Sequence, residues 1–446
     1  MSAAAADVTD DAASAPPCPQ CGASLHVDPL WVTWCDKCDW NVDPADPEPP
    51  TAGRKRRRQR QQREREVQLR ARRGERLYHA VARAAEQGVG HRRDPNRMAS
   101  GLLAALIHVP TLALLTLGVV VAVSGPRDLV HWIIVAALVG LVVLVRPRFG
   151  RLSRKKVALT AAEAPALFAL TDRICAVLGA HPVTWVVVDD SFNASYGHVG
   201  LRRRRMLRIG LPLWSVLDDD EKVALLGHEL AHDVNGDLAH GVLVSSALQT
   251  LATWYRIIHP GPVMYVGGDS TMSAGEALAR PLLAGLANLF LAVLRAEQRL
   301  LLRSSQRAEY LADALAIKVA SRGAVITLFN KAFLAKAYWF GLRRAALVGA
   351  PDLWAAGRGH LATVPAHELT RLHRVAVRRG HQVDDTHPPT ALRIRFASTH
   401  AAGIPAVRSD RSEMEAVERE LAPGYRRVAA VMRSAVGRPH SGDQLV

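Results

Sequence analysis

The chain has 446 residues, a formal net charge of +16 and an apolar fraction of 49%. This length predicts two or three structural units rather than one small domain. Charged residues make up 22% of the chain and nine Trp are present, which excludes a wholly disordered protein. Five Cys in so long a chain exclude a scaffold held together by many disulfides.

Two C-x2-C pairs lie near the start of the chain, within residues 1–43. Their four thiols belong to Cys18, Cys21, Cys35 and Cys38. Each pair places two thiolates on one tight turn, so the two pairs together complete a tetrahedral four-sulfur site for a structural Zn2+. The pattern predicts a zinc ribbon that depends on its metal for folding. Redox pairs or disulfides are the alternative, which a reducing cytoplasm disfavours.

The ribbon carries three nearby tryptophans, Trp31, Trp34 and Trp40, which form either its small core or a docking face. Cys175 stands alone and is interpreted as a small core residue.

Residues 44–97 combine a linker rich in Pro and acids with a basic arm. The first 53 residues carry a net charge of −8, whereas residues 54–97 carry +11. The favoured interpretation is a solvated helix that contacts anionic lipid headgroups. An arm that binds nucleic acid is the alternative, but the segment lacks the interleaved aromatic residues used for stacking on bases.

Residues 98–150 predict a transmembrane hairpin. Residues 102–123 and 129–145 contain no charged side chain, and a short connector with Gly and Pro joins them. About 20 apolar residues of helix are needed to cross a bilayer. A second basic block at 146–156 adds +6, so both flanks are basic and predicted to be cytoplasmic. A buried helical hairpin in a soluble core is the alternative.

An H-E-x-x-H motif occupies positions 228–232 and follows three consecutive Asp at 218–220, which predict a helix N-terminus. On a helix, His228 and His232 share a face and can bind one Zn2+. Glu229, beside the first His, can then accept a proton from water at the metal. Two surface His flanking a surface Glu are the alternative, which the apolar character of this helix disfavours.

A catalytic zinc needs a third protein ligand. Glu309 and Asp313 share one face of a helix that is otherwise rich in Ala and Leu. Carboxylates on such a face are costly unless they are paired or bound to metal. We therefore expect Glu309 to bind the metal and Asp313 to hold a ligand His by a hydrogen bond. Another cluster, His367, Glu368 and His373, is a decoy, because its two His are six residues apart.

These features resemble the HtpX-type membrane zinc metallopeptidases, relatives of the CAAX prenyl endopeptidases. The resemblance covers about residues 98–396 and depends on four blocks in order. The blocks are the two apolar spans; Asn193-Ala194 in an edge-strand segment; the H-E-x-x-H motif with Asn235-Gly236-Asp237 and the later Glu309 and Asp313; and His387-Pro388-Pro389 with Arg393-Ile394.

The resemblance implies three ligands for the catalytic zinc, which are His228, His232 and Glu309. It implies that Glu229 is the general base and that Asp313 and Asp237 lie beside the ligands without touching the metal.

The resemblance also implies that His387 and Arg393 lie near the site, where they stabilise an oxyanion or brace Asp313. For His387, a turn residue before two prolines is the alternative. Asn193 and Ala194 would align the substrate backbone by strand addition.

Two further apolar segments, 241–258 and 281–294, precede Glu309. Polar residues interrupt the first, and the second has 14 residues, so each could span the bilayer, lie at its surface or form a buried hairpin. We assign 151–400 to the peptidase domain, with 241–300 as a membrane-associated insertion. Residues 401–446 are assigned to a C-terminal helix and a flexible tail. The many spans of the prenyl endopeptidases are missing from this pattern, which disfavours a CAAX substrate.

The expected fold is mainly α with a small β-sheet, an α+β zincin or gluzincin domain following a transmembrane helical hairpin. The expected function is that of a membrane-anchored zinc endopeptidase in membrane-protein quality control, with one catalytic and one structural Zn2+. The expected location is the cell membrane, multi-pass, with the N-terminus and catalytic domain cytoplasmic. Its partners would be lipid and protein or peptide substrates, with a protein partner of the ribbon also considered. A non-catalytic adaptor that binds a partner or nucleic acid is the alternative, which the intact ligand set disfavours.

Overall fold

A computed structural model describes residues 15–44, 74–83, 95–145, 157–199, 204–234, 237–259, 274–379, 387–401 and 403–435, with scattered positions in 61–72. Most of the basic arm, the basic block at 146–156 and the C-terminal tail lie outside these residues. Asn235, Gly236 and the side chain of Asp237 also lie outside them.

Helices make up most of the described chain. They are α1 (74–83), α2 (Pro95–Ser124), α3 (Leu129–Val145), α4 (Pro165–Leu178), α5 (Leu211–Trp214), α6 (Asp219–Val234), α7 (Asp237–Ile258), α8 (Ala274–Val319), α9 (Arg322–Ala332), α10 (Ala335–Leu347), α11 (Leu353–Ala362), α12 (Ala366–Arg379), α13 (Thr390–Thr399) and α14 (Arg411–Ala435). The strands are β1 (Val157–Leu159), β2 (Trp185–Asp189), β3 (Ala194–Val199) and β4 (Arg204–Gly210). The expected α+β class, mainly helical with a small sheet, is confirmed.

The four strands form one sheet in the order β1-β2-β4-β3. Strands β2 and β4 are parallel, whereas β1 and β3 pair antiparallel with their neighbours. The centre of β2 is a run of three buried valines, as expected for a strand covered on both faces. Strand β3 lies at the edge, so one side of its backbone faces away from the sheet.

A glycine sets the entry into this edge strand. The N–H of Gly210 donates to the carbonyl of Asn193 at 2.9 Å. A Cβ at position 210 would lie 1.9 Å from the carbonyl oxygen of Ser191, so no other residue fits there. The close approach brings the end of β4 against the start of β3 and places Asn193 and Ala194 at the sheet edge.

The two charge-free segments are the helices α2 and α3, which pack against each other. Both expose large apolar side chains: Leu102 is 65% and Leu129 is 77% exposed. Among the described helices, α2 and residues Ala279–Val319 of α8 are long and apolar enough to cross a membrane, while α3 is apolar but shorter. Such exposed apolar surface is what a lipid-facing helix presents.

Helix α2 also packs against α7 and α8, so the hairpin and the insertion form one helical bundle. Its contact residues are apolar and include Ala104, Ile107, Val244, Ala247 and Leu251.

Two polar pairs lie inside this bundle. The Ser100 hydroxyl donates to Glu297 Oε1 at 2.6 Å, and His108 Nε2 lies 2.9 Å from the Ser246 hydroxyl. Polar side chains in a bundle of apolar helices need such partners, because lipid offers none. Ser246, one of the polar residues that interrupt the apolar segment 241–258, therefore faces another helix of the bundle.

Candidate metal sites

The helix that carries the H-E-x-x-H motif starts where the three aspartates predict. Helix α6 begins at Asp219, and its first turn is acidic. The N–H of Asp218 donates to the Glu221 carboxylate at 2.8 Å, which satisfies a backbone donor that the helix leaves free. Residues 221–231 are all buried and His232 is partly exposed, so the motif begins inside the domain and ends close to its surface.

A glycine permits the close packing that forms the site. Gly227 precedes His228, and a Cβ added to it would lie 3.1 Å from the Val319 side chain. Helix α6 can therefore approach α8 more closely than any residue with a side chain would allow. Because α8 also carries Glu309, this contact brings the two halves of the site together.

Three side chains converge between α6 and α8. His228 Nε2 lies 3.4 Å from Glu309 Oε2, and His232 Nε2 lies 3.6 Å from Glu309 Oε1. One donor atom from each of the three side chains lies within 4.8 Å of the others. Two ligands that are each about 2.1 Å from a tetrahedral zinc are about 3.4 Å apart, so the set fits one zinc ion.

The surroundings of the Glu309 carboxylate also favour a metal ion between these side chains. Glu309 Oε2 and His387 Nδ1 lie 2.8 Å apart. Both atoms are buried, and within the described residues neither forms a hydrogen bond of normal geometry. Burial raises the pKa of Glu309, but the Arg393 charge and the contacts with His228 and His387 lower it well below its usual range. The carboxylate is therefore an anion that can bind a cation.

Asp313 and Arg393 complete the buried side of the site. Asp313 Oδ1 lies 3.0 Å from His228 Nδ1, which leaves the other ring nitrogen on the side of Glu309. Arg393 donates to both oxygens of Asp313, at 2.9 Å from Nε and 2.6 Å from Nη2. This bidentate pair fixes the carboxylate, and the carboxylate in turn fixes the imidazole.

The charges around His228 favour a cation there. Burial and the Arg393 charge each lower the pKa of His228, but its interactions with Asp313 and Glu309 raise it, for a final value of about 10. The carboxylates therefore stabilise positive charge at the ring. A divalent ion bound by the same residues would supply that charge with the imidazole neutral.

The structure brings most of the expected residues to this one place. Glu229 follows His228 on α6 and is 8% exposed. Burial lowers the pKa of Arg393, but the charges of Asp313, Glu309 and Glu229 raise it above its usual range. Asn193 and Ala194 begin the edge strand β3, which contacts α6. Asp237 begins α7, and its side chain lies outside the described part of the chain.

One contributor carries no sequence signal. The Arg393 guanidinium lies over the Phe329 ring of α9, with 4.2 Å from Cζ to the ring centroid. Phe329 therefore supports the arginine that holds Asp313. A single Phe in an apolar helix has nothing in its sequence context to mark it.

The four cysteines of the N-terminal region also converge. The Sγ atoms of Cys18 and Cys38 are 3.6 Å apart, as are those of Cys21 and Cys35. All four lie within 4.8 Å of one another and none is in a disulfide. Sulfurs bound at about 2.3 Å to a tetrahedral zinc are about 3.8 Å apart, so this group fits a zinc ion as well.

The thiols of Cys18 and Cys38 differ in pKa. Burial raises the pKa of Cys38, and the neighbouring thiols raise it further, to about 12. Burial also raises the pKa of Cys18, but backbone N–H groups and the other thiols lower it more, to about 7. A metal cation would stabilise the Cys38 thiolate, which burial and the neighbouring thiols disfavour.

One tryptophan of the ribbon packs in its small core, and another packs against a helix of the peptidase domain. Trp40 packs in the small cluster formed by Cys18, Leu25 and Cys35. Trp34 is fully buried, but against His367 of α12, with ring centroids 4.6 Å apart. The ribbon therefore has both a small core and a docking face.

More than half of this chain matches one protein-family model. A family model described as peptidase family M48 matches residues 161–401. A protease HtpX homolog from Pyrobaculum calidifontis is 28% identical over 246 residues, which cover 52% of this chain and 67% of that protein. The crystal structure of S. mikatae Ste24p aligns with 15% identity and a TM-score of 0.28. That alignment covers 68% of this chain and 66% of the other, just under two thirds of its length.

Proposed function

The chain belongs to peptidase family M48, and on that premise we propose that it is a membrane-anchored, zinc-dependent endopeptidase. The observation that carries the proposal is the convergence of His228, His232 and Glu309 within 4.8 Å, in a buried site that favours positive charge. These three side chains would hold the catalytic zinc, and the four cysteines would hold a structural one.

A zinc ion bound there would supply a Lewis acid that polarises a peptide carbonyl and acidifies water. Glu229 would accept the proton of the attacking water and deliver it to the leaving nitrogen. Its place next to His228 on α6 puts the carboxylate beside the ligand set without making it a member.

The other buried residues would hold this arrangement in place. Asp313 keeps His228 in one orientation, and Arg393 keeps Asp313 ionised and fixed. His387 is half-exposed, with its Nδ1 beside Glu309, so the side chain can reach a substrate and still touch the ligand set. We assign bracing of Asp313 to Arg393 and donation to the developing oxyanion to His387.

The edge strand β3 supports a mode of substrate binding. Among the described strands, β3 is the last in the sheet, and an extended peptide can add to such an edge. Asn193 is exposed at its start, and its Oδ1 accepts from the Ala194 N–H at 2.9 Å. We propose that Asn193 and Ala194 align an extended substrate segment along this edge.

Location and substrate class follow from the anchor. Helices α2 and α3 expose apolar surface, and the basic blocks lie at both ends of this hairpin. By the positive-inside rule the N-terminus and peptidase domain would be cytoplasmic. Substrates would be misfolded membrane proteins or loops close to the bilayer, as in membrane-protein quality control.

The decisive experiment is Glu229→Gln in the full-length protein in detergent or membranes. We expect hydrolysis of an unfolded fluorescent reporter to fall by at least about 100-fold, because the base is removed. Zinc content should remain that of the unaltered protein, because the three ligands are intact. The same variant, compared with the unaltered protein in membrane proteomics, should enrich the substrates.

The matched control is Asp220→Asn, which removes an exposed carboxylate from the same helix and should leave hydrolysis unchanged. Wild-type hydrolysis by the Glu229→Gln variant would show that another group is the base. Absence of hydrolysis in the unaltered protein, with both zinc ions bound, would favour the non-catalytic adaptor.

A further inference from the structure

The N-terminal residues that precede the membrane helices lie outside the matched family segment, 161–401. Two described parts of this extension nevertheless pack against the peptidase domain. They are the ribbon, residues 17–42, and helix α1, residues 74–83. Together we call them the N-terminal brace.

The first contact is apolar and lies under α1. Tyr78 and Val81 are buried against Tyr310 of α8 and Phe396 of α13. The rings of Tyr78 and Tyr310 meet edge to face at 6.3 Å, and Tyr310 lies 5.2 Å from Phe396. A helix from the basic arm thus closes an aromatic cluster with the two helices that carry Glu309 and Arg393.

A polar clasp lies at the edge of the same contact. Arg395 of α13 donates to the Glu75 carboxylate at 2.6 Å. Its guanidinium also lies 3.8 Å from the centre of the Tyr78 ring. Tyr78 therefore has the apolar cluster on one side and a cation on the other.

The sequence positions of these residues show which faces α1 covers. On α8, Glu309 points to the metal ligands, while the next residue, Tyr310, points to α1. On α13, Arg393 points to Asp313, while Arg395 points to α1. Helix α1 therefore packs against both helices that carry site residues, through side chains that lie next to those residues in the sequence.

The second contact places the ribbon on α12, the helix before His387. The His367 ring packs against Trp34 and lies 5.1 Å from His26. Arg374 covers the Trp34 ring, with 5.0 Å to its centroid, and forms an ion pair with Asp39.

A buried arginine joins the ribbon backbone to the same helix. Arg371 donates to the carbonyl of Val42 at 2.8 Å. It also pairs with Glu368 on its own helix at 2.7 Å. His367 and Glu368, which the sequence analysis sets aside as a metal site, therefore belong to the surface of α12 on which the ribbon packs. Helix α12 in turn contacts α13.

We propose that the N-terminal brace is a positioning element of the peptidase, which holds α12 and α13 so that His387 and Arg393 stay aligned with Glu309. This inference rests on the proposed function of that site. It also gives the ribbon and arm an intramolecular task in place of an external partner.

The test uses Tyr78→Ala in the full-length protein. Loss of the ring frees α13, so kcat on a reporter peptide should fall by about 10-fold or more, because small misplacements of catalytic groups are costly. KM should change less than kcat, because Tyr78 packs against residues of α8 and α13, whereas the proposed substrate edge is β3. Zinc content should stay at that of the unaltered protein. Hydrogen exchange should rise in residues 390–399.

Three variants define the outcome. Tyr78→Phe keeps the ring and should restore kcat. Arg76→Ala, on the exposed side of α1, should leave both kcat and hydrogen exchange in residues 390–399 unchanged. If Tyr78→Ala does not accumulate, Glu75→Gln replaces it, because it breaks the surface clasp without opening a cavity, and kcat should fall.

The ribbon contact is tested in the same way with Arg374→Ala, for which the exposed Arg378→Ala on α12 is the control. Unchanged kcat in both Tyr78→Ala and Arg374→Ala, or an equal fall in their controls, overturns the proposal. If the unaltered protein cleaves no reporter, the proposed function fails instead. The brace is then decided by hydrogen exchange alone: no rise in 390–399 in Tyr78→Ala relative to Arg76→Ala overturns it.

Discussion

The two candidate metal sites of this chain are built in opposite ways. The histidine and glutamate donors lie on α6 and α8, inside a large core to which Leu226, Leu230 and Ala316 belong. The cysteine donors lie on short turns of a module whose own cluster of buried residues is Cys18, Leu25 and Cys35. Helices packed into this core position the first candidate site, whereas a bound metal ion would supply most of the folding free energy of so small a module as the second.

The comparison also separates what each site can do. Four thiolates would complete the coordination of a zinc ion, so the ribbon offers no position for a substrate. Two His and one Glu would leave a fourth position open on a zinc ion. Glu229 adjoins His228 on α6, and His387 Nδ1 lies 2.8 Å from Glu309. The proposed reactivity therefore belongs to the candidate site with fewer ligands.

The largest expected effect comes from breaking the ribbon. Cys35→Ser should remove one zinc ion per chain and unfold residues 17–42, because metal binding supplies about 10 kcal/mol or more to such modules. Hydrogen exchange should show loss of protection there, while α6 and α8 stay protected. His228→Ala should also remove one zinc ion, yet leave both regions folded. Unfolding of the peptidase domain in His228→Ala would remove the distinction between the two sites.

A smaller effect is expected from Asp313→Asn, which keeps all three ligands. The variant weakens the hold on His228 and leaves the buried Arg393 charge poorly paired. Zinc affinity at this site should fall about 10-fold to 100-fold, measured by competition with a chromogenic chelator. Zinc in the ribbon of the same molecule would be the internal control, because Asp313 bonds to His228 and Arg393 and not to the cysteines. An equal loss of both ions would mean that the variant acts on the fold as a whole.

The smallest effect is expected from Gly227→Ala. The added Cβ would lie 3.1 Å from Val319, so α6 must move away from α8. Overpacking of this kind costs about 1–3 kcal/mol, which thermal or chemical denaturation would detect. Val319→Ala should recover most of that stability in the double variant. A loss that Val319→Ala does not reduce would show that the close approach of the helices is not its cause.

Prediction from sequence succeeded where the relevant residues are near one another in the chain. The helix start at 218–220, the shared face of His228 and His232 and the two C-x2-C turns are local patterns, and each has the expected local structure. The α+β class and the peptidase family are confirmed. Glu309 and Asp313 were recognisable because two carboxylates on an apolar helix need partners.

The remaining features depend on contacts between distant segments. Arg393 binds an aspartate 80 positions earlier, and Phe329 supports it from a third helix. The basic arm was interpreted as a solvated helix, yet its end buries Tyr78. No period in the arm sequence marks one Tyr for contact with α8, because a single contact leaves no repeat.

By itself, therefore, the sequence determined which donor residues form the two candidate metal sites, where the apolar helices lie and which charged blocks border them. Each of these follows from helix periodicity, turn geometry or composition, which act over a few residues. The tertiary structure alone decided that the ribbon packs on α12 and that α1 packs against α8 and α13. Those contacts join residues more than 200 positions apart, as with Tyr78 and Tyr310. They depend on how the helices between these residues pack, which no local pattern in the sequence encodes.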